Sequence, residues 1–291
     1  MLNRYIMKYR RSLLKRMLKK TGCPEYGDIS HYFDGIWPEN TCPDCSGPYK
    51  IYSHGKFIKE TEKLSYNNMD IDEKEIFIVG AGPSIKKQKL EILKERQTAL
   101  LNGSITLIKE YGLKPAFIAI IDSNFCIKRG EMLKLIPNGS RLVLSYSAMK
   151  EIALYYPETI KNNRIFLIMQ KHDWKHAYLS DKGYEIFDNF DYGFLDSGSV
   201  MNLAIQTAAM KRIKNIYLAG LDIGNANEPR FYENKTDKMK SGLLKDYETK
   251  ILPFMKLASK WTKDHGIKMF NCSPVSKLPY SIIPFSDILQ K

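Results

Sequence analysis

The residues of this 291-residue chain best suited to chemistry stand where the main chain leaves a run of buried apolar residues. The clearest block is Ile76-Phe-Ile-Val-Gly-Ala-Gly-Pro-Ser84. Gly80 and Gly82 take side chains away where the backbone must turn tightly, Pro83 stiffens the turn, and Ser84 can cap the next helix. Amides in such a turn, and in the first turn of that helix, can receive phosphate or carboxylate oxygens; the same letters also serve a plain tight connection. The block lacks the third glycine of a dinucleotide fingerprint and the lysine of a phosphate-binding loop. Two further blocks, Asp122-Ser-Asn124 and Gly220-Leu-Asp222-Ile-Gly224, each put a carboxylate just past a strand end. Asp122 and Asp222 can each bind a divalent cation, orient a hydroxyl or take a proton, or simply cap a turn. Asp196-Ser-Gly-Ser199 precedes a helix, where capping and a second anion or ribose position are both served by a serine and by the close approach that Gly198 permits.

The elements needed to hold these blocks alternate along the chain. Ile76–Val79, Ala116–Ile121, Arg141–Leu144, Arg164–Met169 and Asn215–Ala219 read as short buried strands, with helices over Lys87–Ile108, interrupted at Asn102-Gly103, and from about Ser199 to Met210. Apolar runs of this kind suit strands covered on both faces. The expected fold is α/β: a Rossmann-like, doubly wound, mainly parallel sheet whose ligands lie at the carboxyl ends of the strands. That rule brings Gly80–Ser84, Asp122–Asn124 and Gly220–Ile223 to one edge.

The net charge of +13 comes from 45 basic and 32 acidic residues, but residues 1–20 alone hold Arg4, Lys8, Arg10, Arg11, Lys15, Arg16, Lys19 and Lys20 and no acid. The excess is therefore local. It argues for an anionic surface met by the N-terminus and against a nucleic-acid groove across the fold. Leu2, Ile6, Leu13 and Met17 fall near one face of a helix in that segment, the pattern of a helix lying on a membrane surface or docked on the protein's own surface or on an acidic partner. Residues 1–20 thus read as a basic amphipathic helix, 21–70 as an irregular arm or small subdomain, and 71–291 as the Rossmann-like domain. No apolar stretch is long enough to span a bilayer, and no signal-peptide core follows the basic start. Five cysteines without an export signal are expected as free thiols, although Cys42-Pro-Asp-Cys45 has the spacing of half a zinc knuckle that Cys23, His31 or His54 can complete.

Taken in order, Val79-Gly-Ala-Gly-Pro-Ser84, Asn102-Gly-Ser-Ile with Tyr111-Gly-Leu-Lys-Pro115, Ile120-Ile-Asp122, and Asp196-Ser-Gly-Ser199 before Ile216-Tyr-Leu-Ala-Gly-Leu-Asp222 resemble the MptE-like family, which includes motility-accessory flagellin glycosyltransferases. The bacterial CMP-sialic-acid-dependent sialyltransferases are more distantly similar, down to a closing Ser-Pro-x-Ser matched by Ser273-Pro-Val-Ser276. The resemblance implies two chemistries: a pterin diphosphokinase using ATP and Mg2+, or a transferase using a CMP-activated nonulosonic sugar. On the second, Gly80, Gly82, Pro83 and Ser84 flank the nucleotide with Asn124, Asp222, Ser273 and Ser276 nearby. Ser197 and Gly198 touch the sugar carboxylate or ribose, and Tyr232 meets the phosphate. Two departures stand out. Ala81 replaces the asparagine between the glycines, and no histidine stands a dozen residues before Ser197, where the sialyltransferases are expected to keep their base; His172 and His176 lie farther upstream.

The expected function is a glycosyltransferase building a bacterial cell-surface glycan on the cytoplasmic face of the membrane. It has no tightly bound cofactor, a nucleotide-sugar donor, a glycan or lipid-linked acceptor, and Asp122, His172 or His176 as proton acceptor. The diphosphokinase and a noncatalytic nucleotide-binding partner are the alternatives.

Overall fold

Strands buried on both faces need apolar residues at every position, and the chain supplies them. Ile76, Phe77, Ile78 and Val79 are all inaccessible, as are Phe117–Ile120 and Leu142–Leu144. The structure, a computed structural model, describes residues 36–38, 48–53, 56–168, 185–188, 193–195 and 197–290. Residues 1–20, Cys42, Cys45, His172, His176 and Asp196 lie outside the described residues.

The main sheet has seven strands: β4 (Glu75–Val79), β5 (Thr98–Leu101), β6 (Phe117–Ile120), β7 (Arg141–Ser145), β8 (Arg164–Ile168), β9 (Asn215–Ala219) and β10 (Lys268–Asn271). They pair in parallel in the order β10-β9-β4-β5-β6-β7-β8. The chain winds outward from β4 to β8, then returns to the other side of β4 for β9 and β10. The switch between β4 and β9 opens a crevice at their carboxyl ends, the usual ligand position in such sheets.

Alternate strand residues serve opposite faces. Ile76, Ile78, Ala99 and Leu101 join α4 (Val200–Met210) and α5 (Leu252–Asp264), while Phe77, Val79, Leu100 and Ile118 join α1 (Thr106–Tyr111), α2 (Ser123–Arg129) and α3 (Tyr146–Tyr155). The doubly wound, Rossmann-like expectation holds. Four of the five expected strands shift by no more than two residues at an end, and Asn215–Ala219 keeps its bounds.

The helix expected over Lys87–Ile108 does not form. Two 3-10 turns, Pro83–Lys87 and Leu90–Glu95, lead into β5, and α1 begins only at Thr106. Thr98-Ala-Leu-Leu101 is made largely of good helix formers, but a gap between β4 and β6 that two parallel ladders can fill outweighs that local preference. Strand β10 was not expected either.

A second, antiparallel sheet of β1 (Ile36–Pro38), β2 (Tyr49–Ser53) and β3 (Lys56–Glu60) follows the order β1-β2-β3. Tyr49 and Ile51 are buried in the core on the α3 side. The chain leaving β3 covers the open edge of β8: the Glu62 N–H donates to the Ile165 carbonyl at 2.7 Å, and Arg164 reaches the Glu62 carboxylate at 2.8 and 2.5 Å. Unpaired edge groups are thereby partly satisfied. Among the described residues, no helix is long and apolar enough to cross a membrane.

An aromatic ladder crosses the switch point. Phe77, Tyr217 and Phe270 are register partners on β4, β9 and β10, and their rings stack at 4.6 and 5.2 Å between centroids. Tyr217→Ala removes both stacks and is expected to cost about 2–3 kcal/mol in urea unfolding, whereas Tyr217→Phe should cost under about 1 kcal/mol. Equal losses would show that the hydroxyl, not the ladder, matters.

Candidate functional site

Small hydroxyl side chains stitch neighbouring strand ends together. Ser104 donates to the Val79 carbonyl at 2.8 Å and accepts from the Leu101 N–H at 2.6 Å, joining the ends of β4 and β5. Ser145 donates to the Ile121 carbonyl at 2.9 Å, joining β7 to the end of β6. At the switch point the fastener is Asp222, only 2% exposed. Its Oδ2 accepts the Ser84 N–H at 2.7 Å, and its Oδ1 accepts the Ser84 hydroxyl at 2.5 Å and the Ser273 hydroxyl. A carboxylate that deep needs several donors, and these three supply them. Ser276 adds a bond to the Leu221 carbonyl at 2.5 Å. One carboxylate thus ties the glycine turn, the end of β9 and the segment after β10.

The glycine turn is correspondingly tight. The Gly80 and Gly82 N–H groups donate to the Ala219 and Gly220 carbonyls at 2.9 and 3.2 Å. A Cβ at Gly82 would stand 2.5 Å from the Gly220 oxygen and 2.6 Å from Asp222 Cγ. Pro83 has no N–H, and Ser84 gives its own to Asp222, so among the described residues the Ala81 N–H is the amide of this turn without a hydrogen bond. Of the two expectations for this turn, the tight connection accounts for the Gly80, Gly82 and Ser84 amides, which are bonded to the end of β9 and the residues just after it. The glycines instead let β4 and β9 meet closely and leave a smooth wall beside the crevice.

That crevice is a cleft of about 320 Å³. Gly80, Gly82 and Pro83 line one side, Asn102 and Asp122 the ends of β5 and β6, and Gly198 the start of α4. The loop after Asp222 closes over it with Tyr232 and Lys240. The volume is in the range of small-molecule sites. Three expected blocks therefore do meet at one edge.

The expected site residues divide by position. Gly80, Gly82, Pro83, Asp122, Gly198, Asp222 and Tyr232 border the cleft, whereas Ser84, Ser273 and Ser276 lie behind its wall as fasteners. Ser197 is fully buried, donating to the Leu195 carbonyl at 3.3 Å and accepting from Asn202, so Gly198, at φ 77°, is the member of that pair that reaches the cleft. Asp122 Oδ1 caps α2 through the Asn124 N–H at 2.8 Å, and Asn124 itself is exposed outside the cleft. Ser199 caps α4 through the Met201 N–H at 3.2 Å. Tyr232 packs over Gly103, where a side chain would collide with its ring, and burial pushes its phenol well above the ordinary tyrosine value, so it stays a hydrogen-bond donor.

Asn102 and Ile223 were missed as site residues. Asn102 stands at φ 47° at the end of β5, and its buried Oδ1 has no partner among the described residues. An acceptor of this kind at a cleft wall is available to a ligand donor. The Asn-Gly pair was legible as a break, but its facing direction depends on the unexpected strand. Ile223, at φ 54°, is a β-branched residue in the same region, held by the Gly224 N–H donating to the Asp222 carbonyl at 2.5 Å. Among the described residues no group of three or more His, Cys, Asp or Glu side chains is arranged to hold a metal ion. With the Asp222 oxygens occupied by Ser84 and Ser273, the cleft carboxylates left for a divalent ion are Asp122 and Glu228.

Comparison with known proteins divides the chain between two descriptions. The family model described as 6-hydroxymethylpterin diphosphokinase MptE-like matches residues 50–228, and that described as 3-deoxy-D-manno-octulosonic acid transferase WaaZ matches residues 182–289. A probable 3-deoxy-manno-octulosonic acid transferase of Salmonella typhimurium is 23% identical over 229 residues, covering 70% of this chain and 84% of that protein. Its Escherichia coli K12 counterpart is 25% identical over 251 residues, covering 78% and 86%. Among solved structures, the sialyltransferase CstII from Campylobacter jejuni, in complex with cytidine-5'-monophosphate, aligns at a TM-score of 0.43 and 18% identity, over 73% of this chain and 84% of that one.

If Asp222 is a fastener, Asp222→Asn should destabilise the protein by about 1–3 kcal/mol, because the amide nitrogen cannot accept from the serine donors. Urea unfolding measures this. Unchanged stability with lost ligand binding would instead make Asp222 a direct ligand contact.

Proposed function

The chain belongs to the MptE-like family, and on that premise we propose that it is a glycosyltransferase using a CMP-activated ulosonic acid to extend a bacterial cell-surface glycan. The observation that carries this reading is the breadth of the match to proteins named as probable 3-deoxy-manno-octulosonic acid transferases, 84–86% of their length. The MptE-like match includes Gly80, Asn102, Asp122, Gly198 and Asp222, and the WaaZ match includes Gly198 and Asp222 and adds Tyr232 and Lys240, so the two descriptions overlap on one cleft and together span it. The nine-carbon acid implied by the sequence resemblance and the eight-carbon acid in the relatives' names share a carboxylate beside the anomeric carbon. The relatives favour the eight-carbon donor.

In the proposed reaction an acceptor hydroxyl attacks the anomeric carbon. The new carbon–oxygen bond forms as the bond to the phosphate oxygen breaks, and CMP leaves with that electron pair. The hydroxyl proton goes to Asp122, whose capping bond uses Oδ1 alone, or to His172 or His176. The protonated Tyr232 hydroxyl faces the charge that grows on the departing phosphate. The basic segment 1–20 would hold the enzyme against anionic lipid at the inner face of the cell membrane, near a glycan or lipid-linked acceptor. The family description supports a second reading, diphosphate transfer from ATP to a pterin, with Asp122 and ATP oxygens sharing Mg2+.

Mass spectrometry of reactions containing CMP-octulosonic acid, CMP-sialic acid, or ATP with Mg2+ and hydroxymethylpterin separates these readings. CMP release with glycosylated acceptor is expected, reduced roughly 10²-fold or more by Asp122→Asn if that residue takes the proton. Product from ATP and pterin alone would replace this reading with the second.

A further inference from the structure

The charges along the cleft wall do not match those of an anionic ligand. Asp122, Asp222 and Glu228 bring three carboxylates, against two cations, Arg230 and Lys240. Arg230 is already neutralised. Its guanidinium donates to Glu233 Oε1 at 2.9 Å and to the Met239 carbonyl at 3.4 Å, and the Glu233 side chain is almost wholly buried. Lys240 is exposed at the cleft, and among the described residues it has neither a hydrogen bond nor an ion pair. It is the one uncompensated positive charge on that wall among the described residues.

The loop carrying Lys240 is stitched tightly. Glu233 accepts the Arg230 N–H at 3.1 Å and the Met239 N–H at 3.2 Å, fixing the backbone one residue before Lys240. The Phe231 N–H donates to the Ala81 carbonyl at 3.2 Å, and Arg129 binds the Asp237 carbonyl and carboxylate at 2.7 and 2.8 Å. Met239 and Phe231 are buried beneath it. A buried carboxylate that consumes the arginine and pins Met239 leaves a lysine held over an otherwise acidic wall.

We propose that Lys240 is the cation that receives the anionic group of the substrate in this cleft, a phosphate or carboxylate oxygen. The inference rests on reading the cleft as the donor site, since a CMP-linked ulosonic acid carries both groups. Ligand entry removes water from the ammonium, and the charge-assisted bond then contributes to affinity and selects acidic ligands over neutral ones. A lysine acts here as a point charge, so arginine can replace it in part.

The test is calorimetric binding of CMP, ATP with Mg2+, pyrophosphate and free 3-deoxy-octulosonic acid to the full-length protein and to Lys240→Met and Lys240→Arg. Each anion that the wild type binds should bind roughly ten- to hundredfold more weakly to Lys240→Met, with partial recovery in Lys240→Arg. A loss with CMP and pyrophosphate assigns the contact to phosphate; a loss confined to the free sugar acid assigns it to carboxylate. Equal affinities in wild type and Lys240→Met overturn the proposal, as does a wild type that binds none of the four. Binding of ATP but not CMP, still weakened by Lys240→Met, upholds the lysine's role while removing the CMP-donor reading.

Discussion

The arrangement of this cleft depends on one buried carboxylate. The parallel sheet reverses its winding between β4 and β9, and at that point three segments distant in sequence must be held together: the turn at Gly80–Ser84, the end of β9 and the stretch after β10. Asp222 does this by accepting from Ser84 twice and from Ser273 once. Hydrogen bonds to a charged group are worth about 1.5–3 kcal/mol each, and leaving the same charge buried without them is costly, so the cluster forms as a unit or not at all. Gly82 belongs to it for a steric reason, because any side chain there would meet the Gly220 carbonyl and Asp222 itself. The glycine-rich turn is therefore mostly spent in bonding, and the groups around it are the ones left to meet a ligand.

Those groups come from the other strand ends and from the loop over the cleft. Asn102 offers a carbonyl oxygen unpartnered among the described residues, Asp122 a carboxylate half engaged in a cap, Tyr232 a phenol kept protonated by burial, and Lys240 an ammonium. Left-handed backbone at Asn102 and Ile223 flanks the switch point on two sides, where strain persists only if its surroundings hold it. The Asp222 cluster next to Ile223 and the Ser104 bridge next to Asn102 are those surroundings.

The parallel sheet and the edge on which its blocks converge were legible in the sequence because continuous apolar runs ending in Gly or Asp are a strong local signal: Ile76–Val79 before Gly80, and Asn215–Ala219 before Gly220. Thr98–Leu101 was not legible, since alanine and leucine carry no strand preference and only the neighbouring strands impose one. The division of labour within the motifs was hidden for a similar reason. Whether a serine faces a ligand or a buried carboxylate depends on a partner far along the chain: Ser84 and Ser273 are 189 residues apart yet share Asp222. Ser273 and Ser276, which the sialyltransferase resemblance implied as donor contacts, fasten the last segment to the end of β9. Asn102 escaped notice because its role depends on β5.

The central claim is that a nucleotide occupies the crevice at the carboxyl ends of β4, β5 and β9, against the glycine wall and beneath the loop carrying Tyr232. Heteronuclear spectra recorded during a CMP titration test it most directly. The account predicts shifts concentrated at Ala81, Asn102, Gly198 and Tyr232, with Ser276, behind the wall, moving less. Shifts centred at the amino ends of the strands, or none in the cleft while ATP with Mg2+ moves these same signals, would contradict it.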